Sequence, residues 1–150
     1  MNLKEIKKWW ENTKDTWLGT IIYIILGFVI AYLFYHGLGI LLNTDVPITA
    51  VFSESMKPVM HKGDMVFVKG SSEYNVGDII VFDSPMFRYP IIHRIYSING
   101  TQIKTKGDYN HNIDPWTITK NNIHGKAFLT IPYLGWVKVI FSEAVMLLSS

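Results

Sequence analysis

From Thr16 to Thr44 the chain contains no Asp, Glu, Lys or Arg. Within that stretch, "WLGTIIYIILGFVIAYLFYHGLGILL" (Trp17–Leu42) offers 26 residues of almost continuous apolar character. About 20 such residues cross the hydrocarbon core of a bilayer as a helix. A core helix of a soluble domain rarely stays uncharged for so long, and a cleaved signal peptide has a shorter apolar centre and small residues at its cleavage site. The run therefore predicts a retained transmembrane anchor over residues 16–44. Trp9, Trp10 and Trp17 at its front suit the interfacial belt where indole rings settle. His36, a lone histidine near the exit, reads as an interfacial or helix-packed residue.

Orientation follows from the flanks. Lys4, Lys7, Lys8 and Lys14 precede the span, and Lys and Arg, more than acids, set topology. Residues 1–15 are thus expected on the cytoplasmic side and the rest of the chain on the extracytoplasmic side of a cell membrane, or of the endoplasmic reticulum if the source is eukaryotic. The whole chain of 150 residues carries a net charge of only +2, with its basic residues scattered, which gives no footprint for nucleic acid. Without cysteine it has no disulfide, thiol nucleophile or cysteine metal site.

Between residues 45 and 132 the pattern changes to β. "PITAVF", "DMVFVKG", "DIIVFD", "IIHRIYSI", "TQIKTK" and "KAFLTI" are short runs rich in Ile, Val, Phe, Tyr and Thr, punctuated by turn residues. Asn99-Gly100 between the fourth and fifth runs predicts a hairpin with a type I′ turn. The expected fold is mainly β: a small antiparallel β domain on an N-terminal transmembrane helix. The closing segment, residues 133–150, has Trp136, Ile140, Ala144 and Leu147 at helical spacing. Two readings stay open for it, a helix lying partly in the membrane and a helix packed on the domain.

"FSESMKPVMHKGD" (Phe52–Asp64) follows the first β run and holds Ser53 and Ser55. A serine hydroxyl attacks only when a base takes its proton, and an imidazole base needs a third group to fix its tautomer. His61, His93, His111 and His124 are candidate bases. Two-residue alternation in "IIHRIYSI" puts Ile91, His93, Ile95 and Ser97 on one face, opposite Arg94 and Tyr96, so His93 is expected to be desolvated and rigidly aimed. Read alone, it fits a satisfied core histidine better. "KGDYNHNIDPW" supplies the acids Asp108 and Asp114, on a stretch that leaves the strand beside that of His93; a polar surface turn is the competing reading. Asp108, Asn110, Asn112 and Asp114 also have the spacing of a calcium loop, but Ile113 stands where a Gly is needed and Thr119 where a bidentate Glu belongs. No metal or other cofactor is expected.

In order, the elements are a single anchor, S-x-S-M-x-P, G-D-I-I-V-F, I-I-H-R, K-G-D-x-N-x-x-x-D and I-P-Y-L-G-W. From about Ile48 to Trp136 this resembles type I signal peptidase. His93 stands where bacterial members carry Lys, so the resemblance is to the archaeal and endoplasmic-reticulum branch, which uses Ser-His-Asp. The resemblance implies Ser55 as nucleophile, His93 as base, Asp114 as the triad acid with Asp108 as supporting or alternative acid, and Ser53 helping the Ser55 amide to bind the oxyanion. Glu54 departs from the Gly common at that position in bacterial members. The implied activity is removal of N-terminal signal peptides from translocated precursors through an acyl-enzyme. The implied partners are those precursors, the lipid bilayer and other subunits of a secretion or peptidase complex. The substrate would enter as a β-strand between the stretches before Ser55 and before His93. In "SPMFRYP" (Ser84–Pro90), Met86 and Phe87 fit either a bilayer-dipping loop or the core. Two rival readings are a catalytically inactive anchored subunit or binding module, and a self-cleaving Ser-Lys protein using Lys57, Lys62, Lys69, Lys104 or Lys106. The anchor and the lack of a DNA-binding region oppose the second.

Overall fold

The structure is a computed structural model that describes residues 2–13, 15–87 and 89–148. Lys14, one of the four lysines used for topology, and the last two residues of the C-terminal segment lie outside the described residues. The chain forms two compact units, residues 1–37 and 38–150.

The first unit is helical. Helix α1 (Leu3–Thr13) places Leu3, Ile6, Trp9 and Trp10 on one side and Lys4, Lys7 and Lys8 on the other. Asn2 and Glu5 cap its start reciprocally, Asn2 Oδ1 accepting from Glu5 N at 3.0 Å and Glu5 Oε2 from Asn2 N at 2.9 Å. Trp10 meets Tyr23 of the next helix edge-on, with ring centroids 5.2 Å apart. That helix, α2 (Trp17–Leu42), is apolar on every side, and among its residues Gly19 alone is buried. Its length and composition are sufficient to cross a membrane.

The second unit is built on six strands: β1 (Ile48–Ala50), β2 (Met65–Lys69), β3 (Ile79–Phe82), β4 (Ile91–Asn99), β5 (Gln102–Lys106) and β6 (Ile123–Ile131). They form one antiparallel sheet in the order β1-β2-β6-β3-β4-β5. The expected mainly β fold is observed, and β6 begins three residues before the "KAFLTI" run. The last strand lies between β2 and β3, which have no direct pairing with each other. β3 and the first half of β4 are covered on both faces. One side packs Val81 and Ile92 with Val51, Met56, Met60, Val66 and Val68. The other packs Ile80, Phe82 and Ile95 with Ile103 and Ile118.

Two local expectations are corrected. The β4–β5 hairpin forms, but Asn99 pairs with Gln102 and the two-residue loop is Gly100-Thr101. Gly100 has φ +59 and neither Asn99 nor Thr101 has a positive φ, which is the pattern of a type II′ turn with Gly first, rather than I′. The alternation in β4 also fails at Tyr96, where the register shifts between Ile95 and Ser97. The extra residue turns the strand over, so Ile98 pairs with the buried Ile103 and the expected place of Ser97 on the His93 face is lost.

Helix α3 (Trp136–Leu148) is docked on the domain. Val139 is fully buried, and Lys62 Nζ reaches Glu143 Oε1 at 2.7 Å. Gly63, with φ +91, lies so close to the Trp136 indole that a Cβ would stand 2.2 Å from its Nε1. Of the four residues at helical spacing, only Trp136 belongs to this contact. Val137, Ile140, Phe141, Val145 and Leu147 are exposed on the outer side.

Candidate active site

Ser55 lies on the connection between β1 and β2. Its neighbour Met56 is fully buried beside Val51, Met60 and Val81, and this pins the turn by its methionine while leaving the serines at the surface. Lys57 N donates to Glu54 O at 3.2 Å and Met60 N to Met56 O at 3.0 Å, which hold the chain in tight turns around the serine. Ser53 Oγ is 3.0 Å from Ser55 Oγ.

His93 is the third residue of β4, in the half of the strand that is covered on both sides. It pairs with Ile80 of β3, lies 6.5 Å from the Phe82 ring and is 6 % exposed. Its Nε2 is 3.0 Å from Ser55 Oγ, and its Nδ1 is 2.6 Å from Asp114 Oδ2. Asp114 is 5 % exposed and sits on the segment leaving β5, whose return is fixed by Asp114 N donating to Thr105 O at 3.0 Å.

Asp108 is placed differently. Both its oxygens accept from Arg94, Nε at 2.8 Å and Nη2 at 2.7 Å, while Arg94 Nη1 donates to Gly77 O at 2.7 Å. The hydrogen bonds from Arg94 to Asp108 hold the guanidinium even more firmly charged than usual, against the opposing effect of burial. The carboxylates of Asp108 and Asp114 thus serve different partners instead of converging as calcium ligands would. Among the described residues no group of three or more acidic, histidine or cysteine side chains is arranged to hold a metal.

The remaining candidate bases are elsewhere. His124 lies between Asp45 (Nδ1 to Oδ1, 2.8 Å) and Asp83 (Nε2 to Oδ1, 3.1 Å). His61 is exposed, its backbone N–H donating to Asp64, and His111 lines the groove described next.

A groove of about 770 Å³ opens over Ser55 and His93. Ala50, Val51 and Phe52 line one wall, Tyr89, Pro90, Ile91 and Ile92 the other, and the 109–116 segment closes it. Phe87 stacks edge-on against Trp116 with centroids 5.8 Å apart and lies 5.6 Å from Tyr89. Phe87 and Met86 remain exposed. Three features here were not anticipated from the sequence: the Thr105 hydroxyl, the Tyr109 N–H that donates to Ser55 O at 2.8 Å, and this aromatic wall. A threonine inside a β run reads only as a strand former, and nothing local marks Tyr109 or Trp116.

A hydroxyl in line with an imidazole whose far nitrogen meets a buried carboxylate is the arrangement of a serine hydrolase. A family model described as signal peptidase, peptidase S26, matches residues 18–114. The signal peptidase complex catalytic subunit sec11 of Neurospora crassa is 31% identical over 127 residues, covering 75% of this chain and 74% of the relative. The SEC11 subunit of Lachancea thermotolerans is 34% identical over 128 residues, covering 75% and 76%. That of Saccharomyces cerevisiae is 31% identical over 130 residues, covering 77% and 78%. The chain belongs to the signal peptidase family, peptidase S26, and to the branch of these SEC11 subunits; it is a serine endopeptidase of that family.

Proposed function

We propose that this protein cuts signal peptides from translocated precursors as a membrane-anchored enzyme, with Ser55 as nucleophile, His93 as general base and Asp114 as the acid that orients it. The observation that carries this reading is the hydrogen-bonded line from Ser55 Oγ through both ring nitrogens of His93 to Asp114 Oδ2, at 3.0 and 2.6 Å. With a proton on Nδ1 donated to Asp114, Nε2 is left as the acceptor facing the serine. His93 takes the Ser55 proton as Oγ attacks the scissile carbonyl, and returns it to the leaving amine. Water, activated by the same nitrogen, then hydrolyses the ester. The Ser55 amide and the Ser53 hydroxyl are the donors for the developing oxyanion, whose stabilisation is often the largest single catalytic contribution. Asp108 supports the site through Arg94. No cofactor enters the sequence of steps.

The substrate segment lies extended in the groove between 50–55 and 89–93, where an edge of backbone on each side can pair with it. The all-round apolar surface of α2 supports a membrane anchor, and the lysines before it favour a catalytic domain on the extracytoplasmic side, where precursors emerge. The apolar outer face of α3 supports lipid contact beside the domain. The relatives are subunits of a signal peptidase complex, and this chain is proposed to work with comparable partners.

The test is cleavage of a signal-bearing precursor by the full chain reconstituted in liposomes, with Ser55→Ala alongside. Product formed equally by a folded Ser55→Ala protein sinks the reading.

A further inference from the structure

Thr105 has no part in the mechanism above, yet it is completely buried and its hydroxyl lies 2.6 Å from Asp114 Oδ2, the same oxygen that meets His93 Nδ1. A hydroxyl has one proton to place. Facing an ionised carboxylate, which only accepts, Oγ1 must donate, and the 2.6 Å separation is that of a charge-assisted O–H···O⁻ bond. The backbone repeats the grip in reverse, since Thr105 O accepts the Asp114 N–H at 3.0 Å. Thr105 pairs with Ile95, two residues along the same face of β4 from His93, so the carboxylate is held from the sheet that carries the imidazole.

We infer that Thr105 is a positioning residue for the signal-peptidase reaction: its hydroxyl holds the Asp114 carboxylate turned so that Oδ2 accepts the hydrogen bond from His93 Nδ1–H. The inference rests on the Ser55–His93–Asp114 reading and extends it by one residue. With two donors on Oδ2 the carboxylate has one orientation. Without the hydroxyl that brace is lost, and the carboxylate is free to rotate away from His93 Nδ1.

Thr105→Val removes the hydroxyl and keeps the branched shape that suits a strand. Thr105→Ser keeps the hydroxyl and drops the methyl. A hydrogen bond to a charged group is worth enough for kcat of Thr105→Val to fall about 10- to 100-fold with KM unchanged. Thr105→Ser should stay close to the parent rate. The accompanying readout is the low-field Nδ1–H proton of His93 in the ¹⁵N-histidine-labelled full chain in detergent, identified by its loss in His93→Ala. It should move upfield in Thr105→Val, as the loosened carboxylate holds the Nδ1–H less tightly, and hold its place in Thr105→Ser. If Thr105→Val does not fold, Thr105→Ala removes the same hydroxyl with less bulk and reads the same signal. An unmoved proton and an unchanged kcat in the variant lacking the hydroxyl overturn the inference, as does a Ser variant as slow as the Val variant. Should His93→Ala process precursor normally, the triad reading itself fails. Should His93→Ala be dead while Thr105→Val is unaffected, only the role of Thr105 fails.

Discussion

The carbonyl of Ser55 occupies the space that a side chain on residue 107 would fill: a Cβ on Gly107 would stand 2.6 Å from Ser55 O and 2.8 Å from Asn110 Nδ2. The same carbonyl accepts the Tyr109 N–H at 2.8 Å. The segment that carries both aspartates is therefore pressed directly on the backbone of Ser55. Gly107→Ala should push the two apart, costing about 1–3 kcal/mol of stability as an overpacked site. Because a displacement of about 1 Å can cost roughly 10²-fold in rate, kcat should fall by that order in protein that still melts cooperatively. A Gly107→Ala enzyme with the parent kcat contradicts the argument.

The serines should separate cleanly. Ser55→Ala abolishes precursor cleavage, while Ser53→Ala lowers kcat by about 10²–10³-fold if its hydroxyl is one oxyanion donor. His93→Ala should be as inactive as Ser55→Ala, and no single substitution among Lys57, Lys62, Lys69, Lys104 and Lys106 should match it. A lysine variant that is dead while His93→Ala works would move the chain to Ser-Lys chemistry.

Asp114→Asn and Asp108→Asn are expected to fail in different ways. A carboxamide in place of the Asp114 carboxylate cannot hold the imidazole tautomer, and the loss in kcat should approach the roughly 10⁴-fold that the same change of a triad aspartate causes in serine proteases. Asp108 instead ties the 107–114 segment to Arg94, and the pair is only partly shielded from solvent. Its loss should lower stability by about 1 kcal/mol and reduce kcat less. Rates on one precursor, together with a thermal melt of each variant, decide between them. A larger kcat loss in a stable Asp108→Asn protein reverses the assignment.

His124 gives a pH signature separate from catalysis. Burial disfavours its charged form, but Asp83 and Asp45 together outweigh that and raise its pKa above the ordinary value of 6.5. Asp45 forms an aligned hydrogen bond, whereas Asp83 makes an ion-pair contact off the N–H direction. A raised folded-state pKa contributes stability that is complete below the unfolded value and fades as pH rises through the folded one. The melting temperature of the parent should therefore exceed that of Asp45→Asn at about pH 5.5, and the gap should shrink by about pH 9. Both carboxylates are largely exposed, so added salt should narrow the gap as well. A gap that widens with pH contradicts this.

Legibility from the sequence followed the range of the interactions involved. The apolar helix Trp17–Leu42 and the β runs were readable because composition and two-residue alternation are local. Ser55, His93 and Asp114 were readable as candidates because short motifs carry them. The bulge at Tyr96 was not, since no Gly or Pro marks it and it answers to the pairing demands of β5. The placement of α3 stayed open between two readings because a distant glycine, Gly63, admits the Trp136 indole by lacking a side chain. The hydroxyl of Thr105 was hidden because β-branching alone explains a threonine in a strand.

The placement of β6 bears on when the proposed triad can assemble. Ser55, the proposed nucleophile, hangs from β1 and β2, while His93 and Asp114 hang from β4 and β5. Among the described residues, the only ladder between these two sets of strands is β6, which follows all of them in the chain. An unfinished chain ending before Ile123 holds every triad residue and still lacks the backbone pairing that brings them into register. Assembly of the proposed triad thus waits for β6, although Ser55, His93 and Asp114 all precede that strand in the chain.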